Sequence, residues 1–312
     1  MTVVRYGSHP SQYGELSLPD EPGPWPVAVI IHGGFWRTAY GADLGAELAA
    51  DLVQHGFAAW NLEYRRVGDD PDRGGGGWPS TCLDVAAAVD LLAADGQTVA
   101  AGRLDLSRVI AIGHSAGGHL AGWLAGRGSM PAGAPGASPL VPLTGFLSQA
   151  GVLDLGFGMK ENTGRGAIRK FLGALSNGPD DDTDTDTDTR LASPCAMLPT
   201  GVPSVCVHGT ADDDVPLRQS QRFVAAARRA GDDSRLLVLP GADHYSLIDV
   251  TSPSWAVCRA AVRELARPRR RPREASLTSL HPSGPHGGAP AGNEADLQAD
   301  GFVARVDGGE VY

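Results

Sequence analysis

The sequence predicts an α/β fold, with a mostly parallel central sheet and helices on both faces. Short apolar runs of strand length recur along the 312 residues, and most are followed by a stretch with helical spacing. Strands that alternate with helices imply right-handed crossover connections, which build a parallel sheet covered on both faces. The hydrophobic fraction of 42% is ample for a core of this kind.

The elements follow in order from the hydrophobic spacing. Residues 2–6 and 15–18 are expected to add one or two antiparallel strands at an edge of the sheet. Apolar runs predict further strands at residues 27–31, 57–62, 109–112, 145–152, 202–207 and 236–239. Helical spacing predicts helices at residues 43–55, 81–94, 119–127, 223–230 and 255–265. Residues 67–78, rich in Asp, Pro and Gly, are expected to form a loop.

Two segments depart from this alternation. Residues 180–189 become an Asp-Thr repeat with no apolar face, which predicts a mobile surface loop within a catalytic domain spanning residues 1–266. The repeat is rich in oxygen ligands, but it lacks the glycine and final glutamate of a calcium-binding EF-hand loop. Residues 267–312 open with an arginine cluster and continue through Pro, Gly, His and Ala, which predicts a disordered tail rather than a specific nucleic-acid site.

Composition narrows the functional class. The net charge of -10 argues against nucleic-acid binding by the whole chain. No apolar run approaches membrane-spanning length, and residues 1–14 lack the pattern of a signal peptide, so we expect a cytoplasmic protein without a membrane segment. Four scattered cysteines without metal-ligand spacing are typical of reduced thiols: Cys82, Cys195, Cys206 and Cys258. The sequence does not indicate an oligomeric state.

The candidate nucleophile is a serine at a predicted strand-to-helix turn. Gly-His-Ser-Ala-Gly at residues 113–117 directly follows strand 109–112 and precedes a helical stretch. A sharp turn there would crowd side chains two residues either side of Ser115, and Gly113 and Gly117 remove that crowding. The hydroxyl would then project into a cleft beside the helix N-terminus. A glycine-rich turn with a helix-capping serine is the alternative.

A second glycine motif follows the first parallel strand. In His-Gly-Gly-Phe-Trp at residues 32–36, the glycines let the backbone approach a bound oxygen. We expect the backbone N–H groups of Gly34 and Phe35 to join that of Ala116 in an oxyanion hole. His32 is expected to brace this loop rather than act as a base. An ordinary glycine turn at the end of a strand is the alternative.

An acid and a histidine follow two later strands. Asp212 comes just after strand 202–207, and His244 comes just after strand 236–239. Serine, then acid, then histidine, each past the end of a strand, is the chain order of the triad in hydrolases built on this architecture. Asp213 and Asp214 are expected to be N-terminal carboxylates of a helix beginning near residue 216.

With these motifs the chain resembles an α/β-hydrolase of the esterase and kynurenine-formamidase-like branch, related to bacterial feruloyl-esterase-like (BD-FAE-like) domains. The resemblance covers roughly residues 20–266, and its further motifs are Glu-Tyr-Arg-Arg at 63–66 and Gly-Gly-Gly-Trp-Pro at 75–79. It implies an α/β-hydrolase fold and an ester- or amide-cleaving serine hydrolase with no metal or organic cofactor. By motif, Ser115 would be the nucleophile, Asp212 the orienting acid and His244 the base.

The predicted function is hydrolysis of small-molecule carboxylic esters, with an arylformamidase acting on N-formylkynurenine as the runner-up and a peptidase third. Trp36, Trp78 and Tyr245 are candidates for an aromatic-lined pocket, although core packing explains them equally well. A catalytically silent binding module on the same scaffold is the alternative from another class. A tail-driven interaction protein would depend only on residues 267–273.

Overall fold

The centre of the fold is an eight-stranded sheet with the strand order β1-β2-β4-β3-β5-β6-β7-β8. The computed structural model describes residues 1–173 and 187–268. The strands are β1 (Thr2–Arg5), β2 (Tyr13–Ser17), β3 (Trp25–Ile31), β4 (Ala58–Leu62), β5 (Leu104–His114), β6 (Gly145–Gln149), β7 (Ser204–Gly209) and β8 (Ser234–Leu239). Strands β1 and β2 pair antiparallel at one edge, and β3 to β8 pair in parallel. The predicted fold class is confirmed.

Helices cover both faces of this sheet. They are α1 (Ala46–Gln54), α2 (Ser80–Asp90), α3 (Asp95–Val99), α4 (Ala116–Gly126), α5 (Leu155–Lys160), α6 (Ala167–Leu172), α7 (Thr187–Ala192), α8 (Arg218–Arg229) and α9 (Pro253–Leu265). Helices α1 and α9 pack against one face through residues such as Leu52 and Trp255. Helices α2, α4 and α8 pack against the other through residues such as Val89, Leu120 and Phe223. Because both faces are covered, the central strands are apolar almost throughout.

The element boundaries differ from the predicted ones where hydrophobicity does not mark them. Strand β5 begins at Leu104 rather than at residue 109, because its first residues pair with β3 near Trp25. The polar Asp105 and Ser107 in this part of the strand hide its start from the hydrophobic pattern. Strand β6 ends at Gln149, although the buried apolar run continues to residue 152. In both cases backbone pairing sets the limit of the strand, and side-chain burial does not.

The predicted acidic loop and tail fall largely outside the described residues. Residues 180–186 of the Asp-Thr repeat lie outside them, and so do residues 269–312 of the predicted tail. Residues 187–189, expected as loop, instead begin helix α7. Within the described ranges no helix is long and apolar enough to cross a membrane. None of the four cysteines forms a disulfide bond.

One buried histidine makes the native state sensitive to acid. The ring of His119 on α4 is fully buried, and its Nε2 donates a hydrogen bond to the Ala192 carbonyl oxygen at 2.8 Å. Burial lowers the pKa of His119 from 6.5 to about 4, and the hydrogen bond offsets only part of this effect. Between these two values the unfolded chain binds a proton that the native state does not bind. Stability is therefore lost as the pH falls through this window.

We expect His119→Phe to reduce this loss. A pKa of about 4 instead of 6.5 corresponds to about 3 kcal/mol of unfolding free energy between about pH 8 and about pH 4. Phenylalanine does not titrate, so the difference between the two pH values should shrink by roughly that amount. Chemical denaturation at both pH values measures it. The exposed His55→Phe is the control, and equal pH dependence in the two variants would contradict the prediction.

Candidate active site

Ser115 occupies a strained turn between β5 and α4. Its backbone angles are φ +56° and ψ −117°, a region that side chains rarely adopt, and the residue is only 2% exposed. A Cβ atom at Gly113 would lie 2.0 Å from the carbonyl oxygen of Gly117, and one at Gly117 would lie 2.0 Å from that of Ile31. The Ser115 N–H donates to the Gln149 carbonyl oxygen at 2.8 Å. Both glycines are therefore required by the geometry of the turn.

The loop after β3 runs directly against this turn. Gly34, Phe35 and Trp36 all have positive φ angles of 105°, 49° and 55°. A Cβ atom at Gly33 would lie 2.8 Å from the His114 carbonyl oxygen and 3.0 Å from Cβ of Ser115. Within the described part of the chain, the N–H groups of Gly34, Phe35 and Ala116 have no protein acceptor. These donors are available to a bound oxygen atom.

His32 supports the loop after β3 through buried contacts. Its Nε2 lies 3.1 Å from Oε1 of Glu63, and its ring stacks on Tyr64 at a centroid distance of 4.3 Å. Glu63 also pairs with the buried Arg66 at 2.7 Å. Burial alone would raise the pKa of Glu63, but the His32 hydrogen bond and the neighbouring positive charges outweigh it and lower that pKa. The loop therefore rests on a buried charged network.

The Asp212 carboxylate lies just after β7 and is fully buried. Its Oδ2 is 2.7 Å from Nδ1 of His244 and 3.3 Å from Nε2 of His208, and its Oδ1 accepts the N–H of Val215 at 2.8 Å. Burial would raise the pKa of Asp212, but the side-chain interactions with His208 and His244 outweigh burial and hold this pKa well below its usual range. Asp212 is therefore an anion hydrogen-bonded to the His244 ring.

Ser115 and His244 line one small cavity of about 130 Å³. The His244 ring is 4% exposed and packs against the His114 ring at a centroid distance of 4.4 Å. Among the described residues no direct hydrogen bond joins the Ser115 hydroxyl to the His244 imidazole, although both groups line the same cavity. Hydrogen bonds between such groups in unliganded enzymes are often long and shorten when substrate binds.

The three aromatic pocket candidates lie in different environments. Tyr245 is 58% exposed and lines the cavity beside His244. Trp36 is fully buried and stacks on Phe171 at a centroid distance of 4.5 Å. Trp78 packs edge-on against Trp123 and is also absent from the cavity wall. The positive φ angle of Trp36 belongs to a tight turn that the hydrophobic spacing of the sequence does not reveal.

The two aspartates after Asp212 do not cap a helix. Helix α8 begins at Arg218 rather than near residue 216, and its first turn has no side-chain cap. The expectation that Asp213 and Asp214 are helix N-terminal carboxylates is therefore wrong. Asp214 instead lines the cavity of Ser115 and also a neighbouring polar cavity of about 430 Å³, which shares Phe35 and Arg37 with the first.

The sequence analysis assigned no role to three residues that line the cavity or contact His244. Arg37 and Tyr40 line its wall, and the His114 ring contacts His244. Only their position near the motifs could have indicated them. In the described ranges no group of three or more His, Cys, Asp or Glu side chains is arranged to hold a metal ion.

The strand order and the serine turn define an α/β-hydrolase fold. A truncated carbohydrate esterase from gut microbiota has a similar structure, with a TM-score of 0.67 and 19% identity over 85% of this chain and 95% of its own. The BD-FAE family model matches residues 15–226. The chain belongs to the BD-FAE family.

Two relatives are described as esterases. A probable isoprenylcysteine alpha-carbonyl methylesterase from Oryza sativa subsp. japonica is 25% identical over 77% of this chain and 57% of its own length. Esterase LipC from Mycobacterium tuberculosis is 26% identical over 79% of this chain and 60% of its own length. The chain therefore spans little more than half the length of these relatives.

Proposed function

We propose that this chain is a serine hydrolase that cleaves carboxylic esters of small molecules, with Ser115 as nucleophile, His244 as base and Asp212 as the orienting acid. The observation that carries the proposal is the His244–Asp212 pair, 2.7 Å apart, lining with Ser115 a single cavity. The esterase names of two relatives support the same reaction class.

The chemistry follows the two-step pattern of acyl transfer. Because Nδ1 of His244 is engaged by Asp212, its Nε2 is the nitrogen available to the Ser115 hydroxyl. As Oγ of Ser115 attacks the ester carbonyl carbon, Nε2 takes the hydroxyl proton and then gives it to the departing alcohol. Water, deprotonated by the same nitrogen, then attacks the acyl-enzyme; the bond to Oγ breaks, Nε2 returns the proton to Oγ of Ser115, and the carboxylic acid is released. The Asp212 anion stabilises the imidazolium that forms in each step.

The negative charge that develops on the carbonyl oxygen would be held by backbone donors. The N–H groups of Gly34, Phe35 and Ala116 lie on the two loops that meet at Ser115, and Ala116 is also the first residue of α4. The dipole of that helix favours negative charge at its N-terminus. Loss of one such donor costs on the order of 10²-fold in rate. The proposed reaction requires no metal or organic cofactor.

An arylformamidase is the second candidate. Tyr245 is exposed beside His244 and offers a ring face to an aromatic substrate, such as N-formylkynurenine. The same triad would cleave the formamide by the same steps.

Four cysteines without a disulfide bond fit a reducing compartment, so we place the protein in the cytoplasm.

Hydrolysis of two substrates by the purified chain separates these functions. We expect p-nitrophenyl acetate to be hydrolysed and to have the higher kcat/KM. A kcat/KM for N-formylkynurenine that is higher by several orders of magnitude would favour the arylformamidase. A folded sample that hydrolyses neither substrate and does not react with a fluorophosphonate probe would contradict both, in favour of a silent binding module.

A further inference from the structure

The loop that carries His244 is tied firmly to the acid. We call residues 240–252, between β8 and α9, the His244 loop. It is joined to the Asp212 side by the His244–Asp212 hydrogen bond, by the Ala211 N–H donating to the Ala242 carbonyl at 3.0 Å, and by the Gly241 N–H donating to Oγ1 of Thr210 at 2.9 Å. These contacts fix the base relative to the acid, but they do not fix it relative to the nucleophile.

Two buried side chains tie the same loop to the nucleophile turn. Nε2 of His114, the residue before Ser115, lies 2.9 Å from the carbonyl oxygen of His244. The side-chain amide of Gln149 donates to the carbonyl oxygen of Leu247. The main-chain carbonyl oxygen of Gln149 also accepts a hydrogen bond from the Ser115 N–H at 2.8 Å. Both contacts therefore join groups adjacent to the nucleophile with main-chain atoms of the His244 loop.

The His114 contact has a defined protonation state. A carbonyl oxygen only accepts, so Nε2 must carry the hydrogen. Burial, followed by the charge of His244, lowers the pKa of His114 to about 3. The ring is therefore neutral at working pH, with Nδ1 unprotonated. His114 thus supplies a donor to the loop without placing a second positive charge 4.4 Å from the His244 ring.

We propose that His114 and Gln149 are positioning residues that hold the His244 loop at the separation from Ser115 that proton transfer needs. The inference depends on the proposed function. Ser115 and His244 share a cavity without a direct hydrogen bond, so their separation is set by the two loops rather than by a bond between them. A displacement of about 1 Å at such a site costs on the order of 10²-fold in rate.

Variants of His114 that differ only in the donor test this role. His114→Phe keeps a ring but loses the donor, and it is expected to lower kcat on p-nitrophenyl acetate by about 10- to 100-fold with KM within about threefold. His114→Gln places an amide nitrogen at the position of Nε2 and should restore kcat to within about threefold of the wild-type value. Gln149→Met, which also lacks a donor, should lower kcat in the same direction.

His119→Phe is the matched control, because His119 is also buried and also donates through Nε2 to a carbonyl, but that of Ala192. This variant should keep kcat within about threefold of wild type at about pH 8, where the His119 ring of the wild-type protein is neutral and its loss removes no charge. Equal kcat losses in His114→Phe and His114→Gln, or a loss in His119→Phe as large as that in His114→Phe, would overturn the positioning role. The proposed function fails separately, if Ser115→Ala retains the wild-type activity.

Discussion

Replacing Ser115 by alanine is expected to lower kcat/KM for p-nitrophenyl acetate by about 10⁴-fold or more, since the proposed mechanism forms the acyl-enzyme on Oγ of Ser115. The backbone N–H groups and the His244–Asp212 pair remain in the variant, but the transition state that we propose they stabilise no longer forms. Labelling by a fluorophosphonate probe, followed by intact-mass analysis, should disappear together with turnover.

The fold should survive this substitution. Alanine must adopt the same positive φ angle, but Ser115 already has that strain. The hydrogen bond from the N–H of residue 115 to the Gln149 carbonyl oxygen is unchanged. Ser148→Ala on the neighbouring strand β6 is the matched control, because it removes another buried hydroxyl near the turn. It should keep the label and most of the activity. Labelling at a different residue in Ser115→Ala would contradict the assignment of the nucleophile.

Local sequence patterns were sufficient to predict the fold. The parallel strands are apolar because helices cover both faces of the sheet, so runs such as residues 27–31 are visible without any knowledge of their partners. The start of β5 was not visible, because Leu104 and Asp105 pair with Trp25 and Pro26 of β3 ahead of an irregular, largely polar stretch that has no apolar run. Helix α8 begins at Arg218, after the start expected near residue 216 and before the predicted helix 223–230, since the turn that supports Asp212 occupies the preceding chain.

The site was predictable only as far as chain order could indicate it. Ser115, Asp212 and His244 each follow a parallel strand, and parallel strands end at the same edge of the sheet. The contacts that we propose set their spacing join residues far apart in the chain. The His114–His244 bond spans 130 residues and the Gln149–Leu247 bond spans 98. No periodicity or motif encodes such a pair, because each depends on how two loops pack in three dimensions.

Asp212→Asn is expected to lower kcat by about 10³- to 10⁴-fold, with little loss of stability. The carboxylate accepts a hydrogen bond from His244 at Oδ2, which also lies 3.3 Å from Nε2 of His208, and an amide nitrogen at that position donates instead of accepting. The His244 ring would then present the wrong nitrogen to Ser115 and lose the anion that stabilises its charged form. Steady-state kinetics on p-nitrophenyl acetate near pH 8 measure the loss.

The chain provides its own controls, because Asp213→Asn and Asp214→Asn make the same change of charge at the next two positions. Asp213 is exposed and does not line the Ser115 cavity, so its variant should keep kcat within about threefold of wild type, since solvent and salt screen exposed charges. Asp214 does line the cavity, and its variant should change KM more than kcat. A loss of kcat in either variant comparable to that of Asp212→Asn would show that the local charge, rather than the Asp212–His244 hydrogen bond, sustains catalysis.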